Sequence, residues 1–268
     1  VRGAEGMLSG GFHTPNHRWV LASALSLAGR ILIDERLIAE AERYLQEGID
    51  CTESGEYTER SAGIYNVVNN RSLIIAAEEL GRPELLDHVR RNLDMMVNYF
   101  EPDGSVFTLN SRRQDVGKTV LPINYYENYL LMAHHDSTSR YAGIADAILG
   151  LTTDDHTALE GIGPVLTHYL IDRTLRETDL PGTPVRSSYR FENPDSGIAR
   201  VRSGNVSVSL LSGHTIFLKF QVGALSIAAR FAGTFYGELG RFIPTVLRST
   251  ADGYRLEPHP RRGHMPPF

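Results

Sequence analysis

Two polar segments of the chain, residues 14–19 and 53–70, carry the side chains best suited to chemistry. The first contains the consecutive residues Asn16, His17 and Arg18. The second gathers carboxylates, phenols, amides and a guanidinium: Glu56, Tyr57, Glu59, Arg60, Tyr65, Asn66, Asn69 and Asn70. Such groups can neutralise a carboxylate, accept a proton and donate one. They suit a reaction on an acidic sugar better than they suit a hydrophobic core.

Further candidates fall in the connections around the predicted helices. His13 directly precedes the first segment, and Tyr125 and Tyr126 open a later helix. Arg112 and Arg113 follow a turn signal, where a guanidinium could hold a sugar carboxylate. We expect substrate contacts from these five residues and from the following others: Arg18, Glu56, Tyr57, Glu59, Asn66, Asn69 and Asn70.

Composition limits the possible functions. The 268 residues can form one large core or two modest ones. A net charge of -5 offers no general attraction for polyanions, so nucleic acid is not expected, and an anionic ligand must be held by local Arg and His side chains. No apolar run reaches the roughly 20 residues of a membrane helix, so no membrane contact is expected. No motif indicates a metal or a cofactor, and neither is expected.

The single cysteine and the first residue bear on the origin of the chain. Cys51 alone rules out an internal disulfide and fits a reducing compartment such as the cytoplasm, although secretion stays open. The sequence begins at Val1 with Met7 inside it, which suits a piece of a longer chain. The oligomeric state is left open.

Residues 1–178 are predicted to form paired helices. Apolar residues recur at helical spacing in several stretches: 19–32, 37–45, 65–80, 84–100, 123–134, 139–149 and 157–176. Gly55 and Gly104 each follow a helix pair, and 104 minus 55 gives a repeat of 49 residues. Stacked helical hairpins of this kind predict an incomplete α/α toroid with its loops on one rim.

Residues 179–268 are predicted to form an antiparallel β-region. Pro181, Gly182 and Pro184 mark a linker. Strand-like alternation follows in five runs: 198–202, 206–211, 215–221, 225–229 and 234–236. We expect one part of a β-sandwich that continues beyond residue 268. The predicted fold is therefore α+β, with a helical domain over 1–178 and a β-domain over 179–268.

The spacing of three motif elements resembles that of a known enzyme family. An Asn-His pair opens a helix, and Tyr65 follows Asn16 by 65 minus 16, or 49, residues within a Gly-x-x-x-Glu-x-x-x-x-x-Tyr segment formed by Gly55, Glu59 and Tyr65. With its helical hairpins and β-region, the chain resembles polysaccharide lyases of the heparinase II/III and alginate-lyase type. The resemblance implies that the pair and the tyrosine act on a uronic acid of an acidic oligosaccharide or polysaccharide. Such lyases carry a histidine cluster in the sandwich, whereas the nearest equivalent in this chain is His214, a single histidine in a turn with no second His or Asp beside it.

The residues themselves allow such a reaction. β-Elimination removes the C5 proton of a uronate, which is poorly acidic while the neighbouring carboxylate is charged. Asn16, aided by Arg18 or Arg60, can hydrogen-bond that carboxylate and stabilise the enolate-like species. A neutral His17 or an ionised Tyr65 can take the proton, and a neutral tyrosine can return one to the leaving oxygen. The expected catalytic residues are Asn16, His17, Arg60 and Tyr65.

Other interpretations of the same residues stay open. Asn16 could be a helix cap, and Tyr65 could pack between helices. An inverting glycoside hydrolase would use two carboxylates about 6.5–9.5 Å apart, drawn from Glu56, Glu59, Asp103 and Asp115. A non-catalytic glycan-binding fragment would stack aromatic rings on sugar faces, using Trp19, Tyr57, Tyr65 and Tyr125.

Overall fold

The chain divides into two compact units, residues 1–186 and 187–268. The computed structural model describes residues 2–11, 14–151, 163–172, 174–177, 181–235 and 238–258. The described part of the first unit is helical, and that of the second is antiparallel β-structure. The predicted combination of helices and antiparallel sheet is confirmed at this level.

The first unit is built from successive helical hairpins. Its α-helices are α1 (Arg2–Ser9), α2 (Pro15–Leu32), α3 (Glu35–Gln46), α4 (Tyr65–Leu80), α5 (Leu85–Met96), α6 (Tyr125–Asp136), α7 (Ser139–Gly150), α8 (Gly163–Ile171) and α9 (Thr174–Glu177). Short 3-10 turns lie at Val97–Tyr99 and Pro122–Asn124. Helices α2 and α3, α4 and α5, and α6 and α7 pack in pairs, and α2 also packs along α4. The bounds of α4 agree with the prediction, whereas α1 was not predicted.

Local signals begin and end these helices. Asp34 caps α3 by accepting a hydrogen bond from the Arg36 backbone N–H at 3.0 Å. Gly81 ends α4 in the left-handed conformation, with φ of 63°. The hairpins close over apolar side chains such as Trp19 and Leu73, which are fully buried. Burial of each large apolar side chain contributes about 1.5–3 kcal/mol.

The 49-residue repeat recurs in the structure as two similar turns. Gly55 and Gly104 adopt φ of 87° and 84°, conformations that favour glycine. Each turn is closed by one antiparallel β-bridge, between Cys51 and Tyr57 in the first and between Phe100 and Val106 in the second. The turns form the first parts of two long connections, which we call the first loop (residues 50–64) and the second loop (residues 100–121).

The second unit contains a five-stranded antiparallel sheet in chain order. Its strands are β1 (Ser188–Asn193), β2 (Ile198–Ser203), β3 (Val206–Leu211), β4 (Leu218–Val222) and β5 (Leu225–Ala229). Two hairpins follow, formed by β6 (Ala232–Phe235) with β7 (Glu238–Arg241) and by β8 (Pro244–Thr250) with β9 (Gly253–Pro258). The sequence did not predict β1, β7, β8 or β9, and β1 begins at the end of the predicted linker.

The two faces of this sheet differ in burial. One row of apolar residues crosses four strands in register: Val201, Val208, Phe220 and Ile227. The first three are half-buried and Ile227 is exposed. On the alternate positions Arg200 is fully buried and donates to Ser209 Oγ at 2.7 Å. The sheet therefore buries its polar row more completely than its apolar row.

Substitution of Gly55 by alanine should destabilise the helical unit strongly. A Cβ at this position would lie 2.2 Å from the Arg91 carbonyl oxygen, and the residue also has a positive φ. Backbone strain of this kind costs of order 1–3 kcal/mol, and the clash adds to it. Gly48→Ala is the matched control, since Gly48 has φ of 82° and no atom within 4 Å of its Cβ position.

Chemical denaturation of both variants measures the two effects separately. The free energy of unfolding should fall by about 1 kcal/mol for Gly48→Ala and by at least about 2 kcal/mol more for Gly55→Ala. Equal losses in the two variants would contradict the close approach of Gly55 to α5.

Candidate functional site

The contact between Asn16 and Glu59 joins the start of α2 to the first loop. Thr14 is the N-cap residue of α2, and Pro15 is its first residue, so Asn16 lies inside the first turn and is not the cap. In the amide orientation that matches donors to acceptors, Asn16 Nδ2 donates to both carboxylate oxygens of Glu59, at 3.1 Å each. Both side chains are buried, with relative exposures of 3% and 5%.

The second loop adds a cation and an amide to this contact. Arg113 Nε lies 3.6 Å from Glu59 Oε1, and the guanidinium stands over the Tyr65 ring at 5.1 Å from its centroid. Gln114 Nε2 donates to the Tyr65 hydroxyl at 2.7 Å. Four predicted residues, Asn16, Glu59, Tyr65 and Arg113, therefore meet in one cluster, and Gln114 joins them. We call these five residues the Asn16 cluster.

Burial and charge act together on Glu59. Desolvation raises the pKa of its carboxyl group, and the negative charges of Asp50 and Asp115 raise it further. The positive charge of Arg113 opposes these effects without cancelling them. The hydrogen bond with Tyr65 and the charge of Glu59 in turn raise the pKa of Arg113.

Asp115 fastens the two loops together beneath the cluster. Its carboxylate accepts hydrogen bonds from Ser61 Oγ at 2.9 Å and the Gly63 backbone N–H at 2.8 Å in the first loop, and from Ser111 Oγ in the second. The Arg112 backbone N–H also donates to the Glu59 carbonyl oxygen at 3.2 Å. Asp115 is fully buried. Its three donors occupy the carboxylate, so Asp115 positions the loops.

Several predicted binding residues lie inside the protein and hold the frame of the cluster. The Tyr57 hydroxyl donates to Asn70 Oδ1 at 2.9 Å, and Asn70 Nδ2 donates to Asn92 Oδ1 at 2.8 Å. Asn92 Nδ2 then donates to the Gly55 carbonyl oxygen at 2.8 Å. Tyr57, Asn70 and Asn92 are fully buried, and burial raises the pKa of the Tyr57 hydroxyl well above its ordinary value. This chain of bonds ties the first loop to α4 and α5.

Four other predicted residues are also interior. The Tyr125 hydroxyl donates to the Ala62 carbonyl oxygen at 2.6 Å. Glu56 Oε2 accepts from the Tyr99 hydroxyl at 3.2 Å. Asn66 Nδ2 contacts Met96 Sδ at 3.6 Å. Asn69 is fully buried, and its amide makes no hydrogen bond with the residues that the structure describes. The structure does not bring these four to the Asn16 cluster.

The remaining predicted residues lie nearer the surface. His17 is exposed, and Arg60 is half-buried with φ of 50°, a conformation uncommon outside glycine. Arg18 pairs with Glu47 at 2.6 Å and stacks over Trp19, and Arg112 is exposed. The Tyr126 hydroxyl lies 3.4 Å from that of Tyr169 on α8. His13 lies outside the described residues.

A second ionic cluster, which the sequence analysis did not predict, lies between α4, α6 and α8. The buried Glu127 carboxylate on α6 accepts from Arg71 Nε on α4 at 2.6 Å and contacts His168 Nε2 on α8 at 3.0 Å. Burial alone would raise the pKa of Glu127, but the hydrogen bonds from His168 and Arg71 outweigh it and lower the pKa. The bond to Glu127 raises the pKa of His168. No spacing signal relates residues so far apart, so only the packing of the helices reveals this cluster.

Within the described residues, no group of three or more His, Cys, Asp or Glu side chains is arranged to hold a metal ion. None of the helices described is both long enough and apolar enough for a membrane span. Comparisons with protein-family models, with curated proteins and with solved structures found no match.

Replacement of Asp115 by asparagine should loosen both loops. An asparagine offers one acceptor atom where the carboxylate offers two, and its NH₂ group would face donors. The loss should be about 2–3 kcal/mol of unfolding free energy. Asp103→Asn is the control, because Asp103 is exposed and, among the residues described, accepts hydrogen bonds from Ser105 alone, within its own turn. Denaturant titration should show a loss of less than about 1 kcal/mol there, and a similar loss in both variants would contradict the role given to Asp115.

The pairing of His168 with Glu127 should make stability depend on pH. Because folding raises the pKa of His168, the pair contributes stability that is fully present below the ordinary histidine pKa and is lost as pH rises through the raised value. His168→Gln should therefore cost more at about pH 5.5 than at about pH 9, by about 1 kcal/mol or less for this half-buried group.

Unfolding measured at both pH values checks this sign. His135→Gln is the control, because His135 contacts Glu78 in a more exposed pair. A cost for His168→Gln that grows as pH rises would contradict the ion pair.

Proposed function

We propose that the protein is a polysaccharide lyase-like enzyme that cleaves a uronic-acid-containing oligosaccharide or polysaccharide by β-elimination. The observation that carries the proposal is the convergence of Asn16 and Arg113 on one carboxylate, with Tyr65 lying under the same guanidinium. An amide, a guanidinium and a phenol are the groups that elimination next to a carboxylate requires.

The first requirement is neutralisation of the uronate charge. The Asn16 amide and the Arg113 guanidinium already converge on a carboxylate, that of Glu59. Burial of Asn16 makes its hydrogen bond to an anion stronger than the same bond in water. These two groups would stabilise the enolate-like species that forms when the C5 proton leaves. Arg113 takes the place that the sequence reasoning gave to Arg60.

The second requirement is proton transfer. Tyr65 is half-buried, with its hydroxyl held by Gln114 and a fixed positive charge over its ring. The tyrosinate would take the C5 proton while the C4–C5 double bond forms and the C4–oxygen bond breaks. The tyrosine would then pass a proton to the leaving oxygen. His17, exposed in the first turn of α2 beside Asn16, is the second proton carrier of the proposal.

The hydrolase interpretation has weaker support, because the carboxylates it needs already bind other groups. Glu56 bonds with Tyr99 inside the protein, and Asp115 accepts three donors. Asp103 holds Ser105 in its own turn. Glu56 and Asp115 are also buried, which leaves little room beside either one for the water molecule that an inverting mechanism places between two carboxylates.

The architecture supports the proposal at a coarser level. Three helical hairpins in succession, with the 49-residue repeat of their turns, are the arrangement from which we infer an α/α toroid. The half-exposed apolar row across β2 to β5 is a surface that the second sheet of a β-sandwich would cover. Both the toroid and the sandwich are part of the proposal.

A survey of uronate polymers tests the reaction. The full chain is incubated with alginate, heparan sulfate, hyaluronan and polygalacturonate, and products are followed by ultraviolet absorbance and mass spectrometry. Elimination gives an unsaturated uronate and no gain of water. Products that contain added water would support the hydrolase, and binding without turnover would support a glycan-binding module.

Tyr65→Phe should lower kcat on any polymer that is cleaved. Loss of a positioned proton carrier typically costs about 10²–10⁴-fold, and KM should change little because the ring remains. Tyr44→Phe is the matched control, since Tyr44 is a buried tyrosine on α3 and is not one of the five residues of the Asn16 cluster. Steady-state kinetics give kcat and KM for both variants. An equal loss of kcat in both would contradict a role for Tyr65 in proton transfer.

A further inference from the structure

The Asn16 cluster contains a carboxylate where the proposed substrate would place its own. Both oxygens of Glu59 lie 3.1 Å from the Asn16 amide nitrogen, and Arg113 approaches the same carboxylate. In the reaction proposed above, that amide and that guanidinium hold the carboxylate of the sugar. The groups that would receive the substrate are therefore already engaged by a side chain of the protein.

We propose that Glu59 is a resident substitute for the substrate carboxylate, and that a uronate takes its place only as Glu59 binds a proton from solvent. This inference rests on the proposed function and adds to it the coupling of uronate binding to proton uptake. In the resting state the ionised Glu59 holds Asn16 and Arg113 in position. In the bound state Glu59 is neutral, and the Asn16 amide donates to the uronate carboxylate instead of to Glu59.

Charge is the reason for the coupling. Glu59 is 5% exposed, and the negative charges of Asp50 and Asp115 already disfavour ionisation of its carboxyl group. Among the described residues, Arg113 is the cation whose charge opposes the rise in the pKa of Glu59, and a second carboxylate at the same amide would share its guanidinium. Two carboxylates that share a buried site do not both stay ionised, because their repulsion is poorly screened there. Since the uronate is the stronger acid in water, we expect Glu59 to take the proton.

The neighbours of Glu59 support this assignment. Burial together with Asp50 and Asp115 already raises the pKa of Glu59 in the absence of ligand. The other ionisable groups of the Asn16 cluster are Arg113 and Tyr65, and His17 lies next to Asn16 in the sequence. Because His17 is an imidazole next to Asn16 in the sequence, the experiment includes its variant as a control.

The consequence is a defined dependence of affinity on pH. Above the pKa of Glu59 in the free protein, each uronate that binds takes up one proton, so its association constant should fall about tenfold per pH unit. In Glu59→Gln no proton is needed, and affinity should be independent of pH. At about pH 8 the variant should bind uronate at least tenfold more tightly than the wild type.

Titration with D-glucuronate, which has no glycosidic bond to break, tests the coupling without turnover. Binding to the full chain is followed by ligand-observed NMR from about pH 5 to about pH 8. Above the pKa of Glu59, wild type and His17→Gln should both show the tenfold fall per pH unit, and Glu59→Gln should show none across the range. The wild-type slope needs no variant, so it remains informative if Glu59→Gln does not fold.

The outcomes separate this inference from the proposed function. A wild type that binds glucuronate with no pH dependence, or a slope that persists in Glu59→Gln or vanishes in His17→Gln, overturns the role of Glu59. The proposed function then still stands on the turnover survey. No binding by either the wild type or Glu59→Gln, together with no turnover of any polymer, overturns both.

Discussion

The candidate site depends on one constraint, that the carboxylate of Glu59 is buried and must be paired. An unpaired buried carboxylate would be costly, so the Asn16 amide and the Arg113 guanidinium are held close to it. Asn16 belongs to the first turn of α2, Glu59 to the first loop and Arg113 to the second loop. The same charge therefore draws three distant segments together, and Tyr65 is placed beside them because Arg113 also covers its ring. Pairing at this point provides structural order and a chemically useful cluster at once.

A frame of neutral hydrogen bonds supports this pairing from within. The bonds that link Tyr57, Asn70, Asn92 and Gly55 cross from the first loop to α4 and α5. Each contributes only about 0.5–1.5 kcal/mol to stability, but loss of one partner would leave a buried polar group unsatisfied. Such a chain favours one arrangement of the loop over others. This accounts for the presence of a poor helix former such as Asn70 in the interior of α4. The sequence analysis assigned Asn70 to substrate binding instead.

Features governed by neighbouring residues were predictable. The cap at Asp34, the end of α4 at Gly81 and the turns at Gly55 and Gly104 all follow from local backbone preferences. The composition of the Asn16 cluster was only partly predictable, since Asn16, Glu59, Tyr65 and Arg113 were candidates but so were residues such as Tyr57 and Asn70 that lie elsewhere. The interior position of Tyr57 and Tyr125 was not predicted. The sequence does not distinguish a tyrosine hydroxyl that binds a sugar from one that donates to an amide or carbonyl oxygen inside the protein. Strands β7 to β9 were missed because their alternation is weak and short.

The sequence by itself determined the helical hairpins, the two-part α+β organisation and the types of polar group available, because propensity and periodicity act over a few residues. Only the tertiary structure decided which of those groups meet. Arg113 and Glu59 are 113 minus 59, or 54, residues apart, and Arg71 and Glu127 are 127 minus 71, or 56, residues apart. Contacts over such separations depend on how the hairpins pack and on which side chains burial forces into pairs, and neither is written in any local pattern.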